Sequence, residues 1–456
     1  MIHFLVMMAL MQTQAEPADL LIRGGTVVTM DAEMRVLEGG SVVIRGDRIA
    51  AVLGPGEALP ESGEVIDATG HLVIPGLINS HGHVPMVLLR GVADDMKLME
   101  WLNDFIFPAE AKNVDEEFVY WGTLLASIEM ALGGTTTFTD MYYFEEEIAR
   151  ATDRAGLRAV LGQTIIGFPA PDYKTTDEAL AGTEAFIREY QNHPRVIPSV
   201  APHALYTTDI EVIRRARDLA RKYNVPFQIH AHESPQEDEA VRQKMGMTTV
   251  PALERAGVLG PGMILHHVIT LTDADIETLA RHGVGTSHNP ESNMKGASGL
   301  ARAPDLLAAG VPVGLGTDGP ASNNNLDMFE EMDTAAKVHK LYRGDPTVMP
   351  APTVFRMATI GAAEALGLAQ DIGSLEPGKL ADVVLIDVDR PELTPLYDVY
   401  SHLVYAVKAP HVSSVLVGGK FVVRDRRVLT LDVEEVMSKA REIQQRIAES
   451  LGLEVR

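Results

Sequence analysis

Residues 76–83 read GLINSHGH, an apolar run that ends in two histidines on either side of a glycine. In an extended strand residues i and i+2 point the same way, so His81 and His83 project together from the end of such a strand. Taken alone, the pair is better explained as two loop histidines bonded to backbone carbonyls. The rest of the chain decides between the two. Seven further runs of the same kind follow: TTTFTD (135–140), RAVLGQT (158–164), VIPSVAPH (196–203), VPFQIHAH (225–232), MILHHV (263–268), VGTSH (284–288) and VPVGLGTD (311–318). Helical segments lie between them with recognisable ends. Asp115 opens EEFVYWGTLLASIEMAL and Gly133 closes it, while Asp209 opens IEVIRRARDLARKY and Asn224 closes it. Eight such alternations between Gly76 and about Gly367 predict a (β/α)8 TIM barrel, assigned to residues 76–373. No GxGxxG follows a strand, so a dinucleotide-binding sheet has no support.

Outside the barrel the pattern changes to short β-branched runs separated by Gly, Asp and Asn turns, as in ADLLIRGGTVVTMD and VSSVLVGGKFVVRDRRVL. Residues 18–75 and 374–430 are therefore expected to fold together as a small β-sandwich domain built from both chain ends. A C-terminal helix is expected within 431–456. The opening MIHFLVMMALMQTQAEP (1–17) weakly resembles a signal peptide, with an apolar stretch and Ala15, but it lacks the Lys or Arg of a basic n-region. A cytoplasmic location is the reading favoured here, with export as the alternative. No stretch reaches the ~18 apolar residues of a membrane span.

Formal charge is -24, from 39 basic and 63 acidic residues. That field repels phosphate backbones and anionic lipid, which argues against nucleic-acid and membrane partners. Cysteine is absent, so disulfides, thiolate metal sites and cysteine nucleophiles are all excluded.

A barrel carries its chemistry at the C-terminal ends of its strands. Those ends hold His81 and His83, Asp140, His203, His230 with His232 and Glu233, His266 with His267, His288, and Asp318. His81, His83, His230 and Asp318 make a His3Asp set suited to one divalent ion, with a position left open for water. Zinc is the expected metal, with Fe2+ or Mn2+ as alternatives, because such a set is not selective. Glu233, three residues past His230, is the candidate general acid and base, and His266 the candidate group that orients the attacking water with Asp318. His232 shares strand parity with His230 and is read as supporting the site, not as a ligand. The fourth strand end has no lysine that could bridge a second metal, which leaves His203 free to contact substrate. Trp101 is either a lid residue over the substrate or part of a loop core.

The motifs PGLINSHGH, LHHV, SHNPESNMK, GTDGPASNN and GSLEPGKLADVVLID, with the His230 to Glu233 pair, resemble the amidohydrolase superfamily in its cytosine deaminase and chlorohydrolase branch. LLRGVADDMKLMEWLNDFIFPAE is similar to the 5'-methylthioadenosine/S-adenosylhomocysteine deaminases. The resemblance runs from about Asp19 to Leu429. It implies hydrolytic deamination of the adenine of a nucleoside such as adenosine, 5'-methylthioadenosine or S-adenosylhomocysteine, in a homo-oligomer, dimer or tetramer. It also implies that Glu110 bonds the ribose hydroxyls and that His203 contacts the nucleoside. One feature departs from the family. No arginine lies between Ala159 and Ile187 to meet an amino-acid carboxylate, and Lys174 is the one cation there. A neutral nucleoside fits that wall better, with Gln163 expected to line it. Two alternatives stand beside this reading: deamination or dechlorination of another heterocycle such as guanine, a pterin, cytosine or a triazine, and a metal-free barrel scaffold.

Overall fold

A computed structural model describes residues 17–453 of the chain. All eight expected barrel strands form: Leu77–Asn79, Thr135–Tyr142, Arg158–Ile165, Val196–Pro202, Phe227–Ala231, Met263–His267, Gly285–His288 and Val313–Leu315. They make one parallel sheet in sequence order. The ends meet where Ser80 N–H donates to the Leu315 carbonyl at 2.9 Å and Asp318 N–H to the His81 carbonyl at 3.1 Å. Gly316 makes that approach feasible, since a Cβ there would lie 2.8 Å from the His81 nitrogen.

The helix ends follow the sequence signals unevenly. Asp115 caps Glu116–Leu132 by accepting from the Phe118 N–H at 2.8 Å. Asp209 holds the corresponding place before Ile210–Tyr223 without capping it, because its carboxylate pairs with Lys244 at 3.1 Å. Asn224 ends that helix in the left-handed conformation, φ 53°.

Strands from both chain ends form a single nine-stranded sheet, so the sandwich expectation resolves as one continuous hydrogen-bonded surface. The join is antiparallel pairing of His71–Pro75 with Val383–Asp387, Ile74 opposite Val384. Leu20, Ile22, Val27, Val42, Ile44 and Val383 form its own buried core. The helix Val433–Leu451 packs back on Glu116–Leu132. Residues 1–16, which carry nearly all of the signal-like stretch, lie outside the described range. Among the described residues no helix is long and apolar enough to cross a membrane.

A buried ion pair ties sheet to barrel. Arg158, which begins the third barrel strand, donates twice to Asp382, from Nε and Nη2 at 3.2 Å each, and both side chains are 4% exposed. Asp382 also accepts from the Gly418 N–H at 2.7 Å. Asp382→Ala strands the guanidinium, so a loss of about 3–5 kcal/mol is expected in denaturant unfolding. Arg158→Met with Asp382→Leu should recover most of it. A single-variant loss under about 1 kcal/mol would show that the pair is dispensable.

Candidate active site

The first strand end, the fifth and the eighth converge. His81 and His83 each place Nε2 3.4 Å from Asp318 Oδ1. His230 Nε2 lies 3.3 Å from His83 Nε2. The Nδ1 atoms of these two rings face backbone carbonyls, His83 that of Met141 at 2.7 Å and His230 that of His203 at 2.9 Å. A carbonyl can only accept, so each Nδ1 carries the proton and each Nε2 presents a lone pair. Two lone pairs facing each other at that distance repel unless a cation lies between them. His81 adds to the case: it is fully buried and neither ring nitrogen has a hydrogen-bond partner. The donors also cluster as a metal requires, with the ligand atoms of His81, His83 and Asp318 within 4.8 Å of one another. The four residues fit a divalent ion, and carbonyls behind the imidazoles are the usual support for such ligands.

Burial drives His81 down to about 3, against the pull of Asp318, and holds His230 well below the ordinary imidazole range. Neutral imidazoles are what a metal takes up. Burial alone would raise Asp318, but His81, His267 and His83 outweigh it and keep its carboxyl well below the usual range. Its Oδ2 accepts from Ser292 at 2.6 Å and from Ser322 at 2.9 Å. Asp318 has φ 62°, His232 φ 56° and His267 φ 71°. Left-handed residues other than glycine cost of order 1–3 kcal/mol each and gather where function requires the distortion.

Burial pushes Glu233 up to about 7, with His267 opposing and Asp318 adding to the rise. A carboxyl poised there can give or take a proton at neutral pH. The ring beside it belongs to His267, Nε2 to Oε1 3.9 Å, and not to His266. His266 points down into the barrel, stacked on His81 with ring centroids 3.9 Å apart and with Nε2 3.3 Å from Gln228 Oε1. The left-handed turn at His267 breaks strand alternation, so consecutive histidines serve the same end of the barrel at different depths. His267 Nδ1 meets Asn293 Oδ1 at 2.9 Å. Burial would lower His267, but Glu233, Asp318 and Asn293 together raise it.

His83, His230, Glu233, His267 and Asp318 line one cavity together with Trp101, Glu110 and His203. Trp101 lies in a widened helical turn, Trp101–Ile106, and its Nε1 donates to the Ala93 carbonyl at 3.1 Å. Glu110, on Phe107–Asn113, is 4% exposed and accepts from the Tyr142 hydroxyl at 2.7 Å. His203 Nδ1 pairs with Thr207 Oγ1 at 2.8 Å, and burial takes its pKa to about 3. Gln163 does not reach the cavity: its amide donates to Asp172 at 2.7 Å, and Thr164 lines the wall in its place. Strand parity turns one of two neighbours inward, and composition did not say which. Lys174 is held by the carbonyls of Ala170 and Pro171. His232 pairs with Asp238 at 2.9 Å and accepts from the Val250 N–H at 3.1 Å, which turns it away from the ligand set. Asp140 accepts from the Val84 N–H, and His288 meets His339 at 3.0 Å, so neither joins the cavity wall.

Residues 72–422 match the amidohydrolase family. The chain is 48% identical over 438 residues to the 5-methylthioadenosine/S-adenosylhomocysteine deaminase 1 of Syntrophus aciditrophicus (strain SB), covering 96% of this chain and 99% of that protein. This chain belongs to the amidohydrolase family, in its 5-methylthioadenosine/S-adenosylhomocysteine deaminase branch. Among other amidohydrolases, it is 44% identical over 405 residues to the 5'-deoxyadenosine deaminase of Methanocaldococcus jannaschii, 88% of this chain and 95% of that one. The crystal structure of an adenosine deaminase from Xanthomonas campestris with bound zinc superposes with a TM-score of 0.93 at 39% identity, covering 95% of this chain and 99% of that one.

Proposed function

We propose that this amidohydrolase is a zinc-dependent hydrolytic deaminase of adenosine-type nucleosides, converting the adenine to hypoxanthine with release of ammonia. The observation that carries this reading is a single cavity lined by the His83, His230 and Asp318 cluster, by Glu233 and by Glu110. One part of that wall suits ring hydrolysis and another suits sugar hydroxyls. The zinc of the Xanthomonas structure and the nucleoside names of the relatives support the same conclusion.

When bound by His81, His83, His230 and Asp318, zinc would lower the pKa of a water towards neutrality and so supply a nucleophile at neutral pH. Glu233 takes the proton of the attacking water and gives it to the ring nitrogen, a task its value of about 7 allows in both directions. His267, anchored by Asn293, orients the water beside Glu233 and steadies the carboxylate when it is charged. Glu110 bonds the ribose hydroxyls, with Tyr142 holding its other face. His203 packs against the nucleoside. As described, the cavity encloses about 70 Å³, far less than the ~300–1,000 Å³ of an occupied ligand pocket. The turn that carries Trp101 therefore has to swing aside to admit substrate and then closes to exclude water.

Lys174 is committed to backbone carbonyls, so that wall offers no cation to a zwitterionic tail. Adenosine or methylthioadenosine is accordingly proposed over S-adenosylhomocysteine. A cytoplasmic dimer or tetramer completes the proposal. The deciding experiment is ammonia release across adenosine, methylthioadenosine, S-adenosylhomocysteine, free adenine and guanine. Equal turnover of adenosine and free adenine would sink the nucleoside reading. Glu110→Gln should erase most of the preference for nucleoside over base, a factor that for buried hydroxyl recognition reaches about 10^4.

The same variant reports on stability. Burial raises Glu110 from 4.5 to about 7, against the Tyr142 hydrogen bond. Folding therefore favours its protonated form, and the stability this group contributes is full below about 4.5 and lost as pH rises through about 7. Glu110→Gln should gain on the parent protein in thermal unfolding between about pH 5 and pH 8, by up to about 3 kcal/mol. A difference that does not vary with pH would show that the carboxyl is not so perturbed.

A further inference from the structure

A second cavity, of about 50 Å³, adjoins the first, and Trp101, Glu233, Asp318 and Ser322 line both. The rest of its wall includes Asp94, Asp95, Lys295, Ser298 and Ala321. Lys295 is already paired with Asp94 and also donates to Asn324 at 2.5 Å, so acid is in excess around this space. The mechanism above assigns it no role.

Its position suggests one. If Glu110 takes the ribose and Glu233 meets the ring nitrogen next to the reacting carbon, the purine lies between them. The C6 amine stands across the base from the sugar-bearing nitrogen, so it points past Glu233 and Asp318, where the second cavity begins. A volume of about 50 Å³ exceeds the ~10–15 Å³ that one water needs on the same measure, so a methyl group can be accommodated beside the amine. Excess carboxylate suits an amine that leaves and becomes protonated.

We propose that this cavity is the leaving-amine compartment and admits an N6-methyl group, so that the protein also hydrolyses N6-methyladenosine-type nucleosides and releases methylamine. The inference rests on the nucleoside deaminase reading. Water supplies the oxygen that bonds to C6 and the C6–N6 bond breaks with its electron pair going to nitrogen. The nitrogen takes a proton that came from that water and departs as methylamine. The purine product is inosine, as from adenosine, and no oxidant is involved.

The test uses the full chain loaded with zinc, comparing adenosine with N6-methyladenosine and following inosine, ammonia and methylamine by chromatography. Equimolar inosine and methylamine are expected from the methylated substrate, with kcat/KM within about 200-fold of adenosine, the range a single methyl commands in a pocket. Ser298→Leu and, in a separate protein, Ala321→Val narrow the cavity. Either should lower the N6-methyladenosine to adenosine ratio by about 10-fold or more while adenosine turnover holds. Adenosine turned over with N6-methyladenosine more than about 200-fold slower overturns the compartment and leaves the deaminase reading intact. Failure of both substrates overturns both, and an unchanged ratio in both narrowed variants also overturns the compartment.

Discussion

His230→Ala should purify with well under one zinc per chain and release ammonia from adenosine at least about 10^3-fold more slowly than the parent protein. The expectation rests on the 3.3 Å approach of the His230 and His83 Nε2 atoms, each with its Nδ1 committed to a carbonyl. Removing one ring removes both a ligand and the reason for that arrangement. A metal ion contributes several kcal/mol of charge stabilisation in such hydrolyses, which corresponds to about 10^3–10^5 in rate. His232→Ala is the matched control. That ring lies two residues away but is engaged by Asp238 and Val250, so the variant should keep its zinc. Stoichiometric metal in His230→Ala, measured by atomic emission on the assayed sample, would remove His230 from the ligand set.

Glu233→Gln separates metal binding from chemistry. The amide keeps nearly the same shape and should leave zinc content and adenosine affinity close to normal. It cannot carry a proton between the water and the ring nitrogen, so kcat should fall by about 10^2–10^4, the usual contribution of a positioned acid and base. Since burial holds Glu233 near 7, the residual activity should also lose the titration that the parent protein shows in that region. A variant within about tenfold of the parent would transfer the proton-moving role elsewhere, with His267 the next group to test.

Much of the architecture was legible because strand and helix have different periods. The eight apolar runs, each followed by a helical segment with polar ends, specify a barrel without knowledge of any contact. The same logic locates His81, His83, His230 and Asp318 at strand ends, and barrel closure then brings those ends together. Legibility fails where one residue of register matters. LHHV offers two adjacent histidines, and alternation puts only one of them inward. The left-handed φ of His267 places it beside Glu233 while His266 sinks beneath His81, a distortion that tertiary packing imposes. Gln163 and Thr164 pose the same problem at the third strand.

Sequence by itself determined the barrel, the union of both chain ends and the type and number of ligand-capable side chains. These depend on local periodicity and on residue chemistry, which are written along the chain. Only the tertiary structure decided which histidine stands beside the acid, that Tyr142 holds Glu110, that Ser292 and Ser322 hold Asp318, and that a second cavity opens past Trp101. Those pairings join residues up to 34 positions apart, and the second cavity brings Trp101 to Ser322, through packing and desolvation. Neither is a property of any short stretch of sequence.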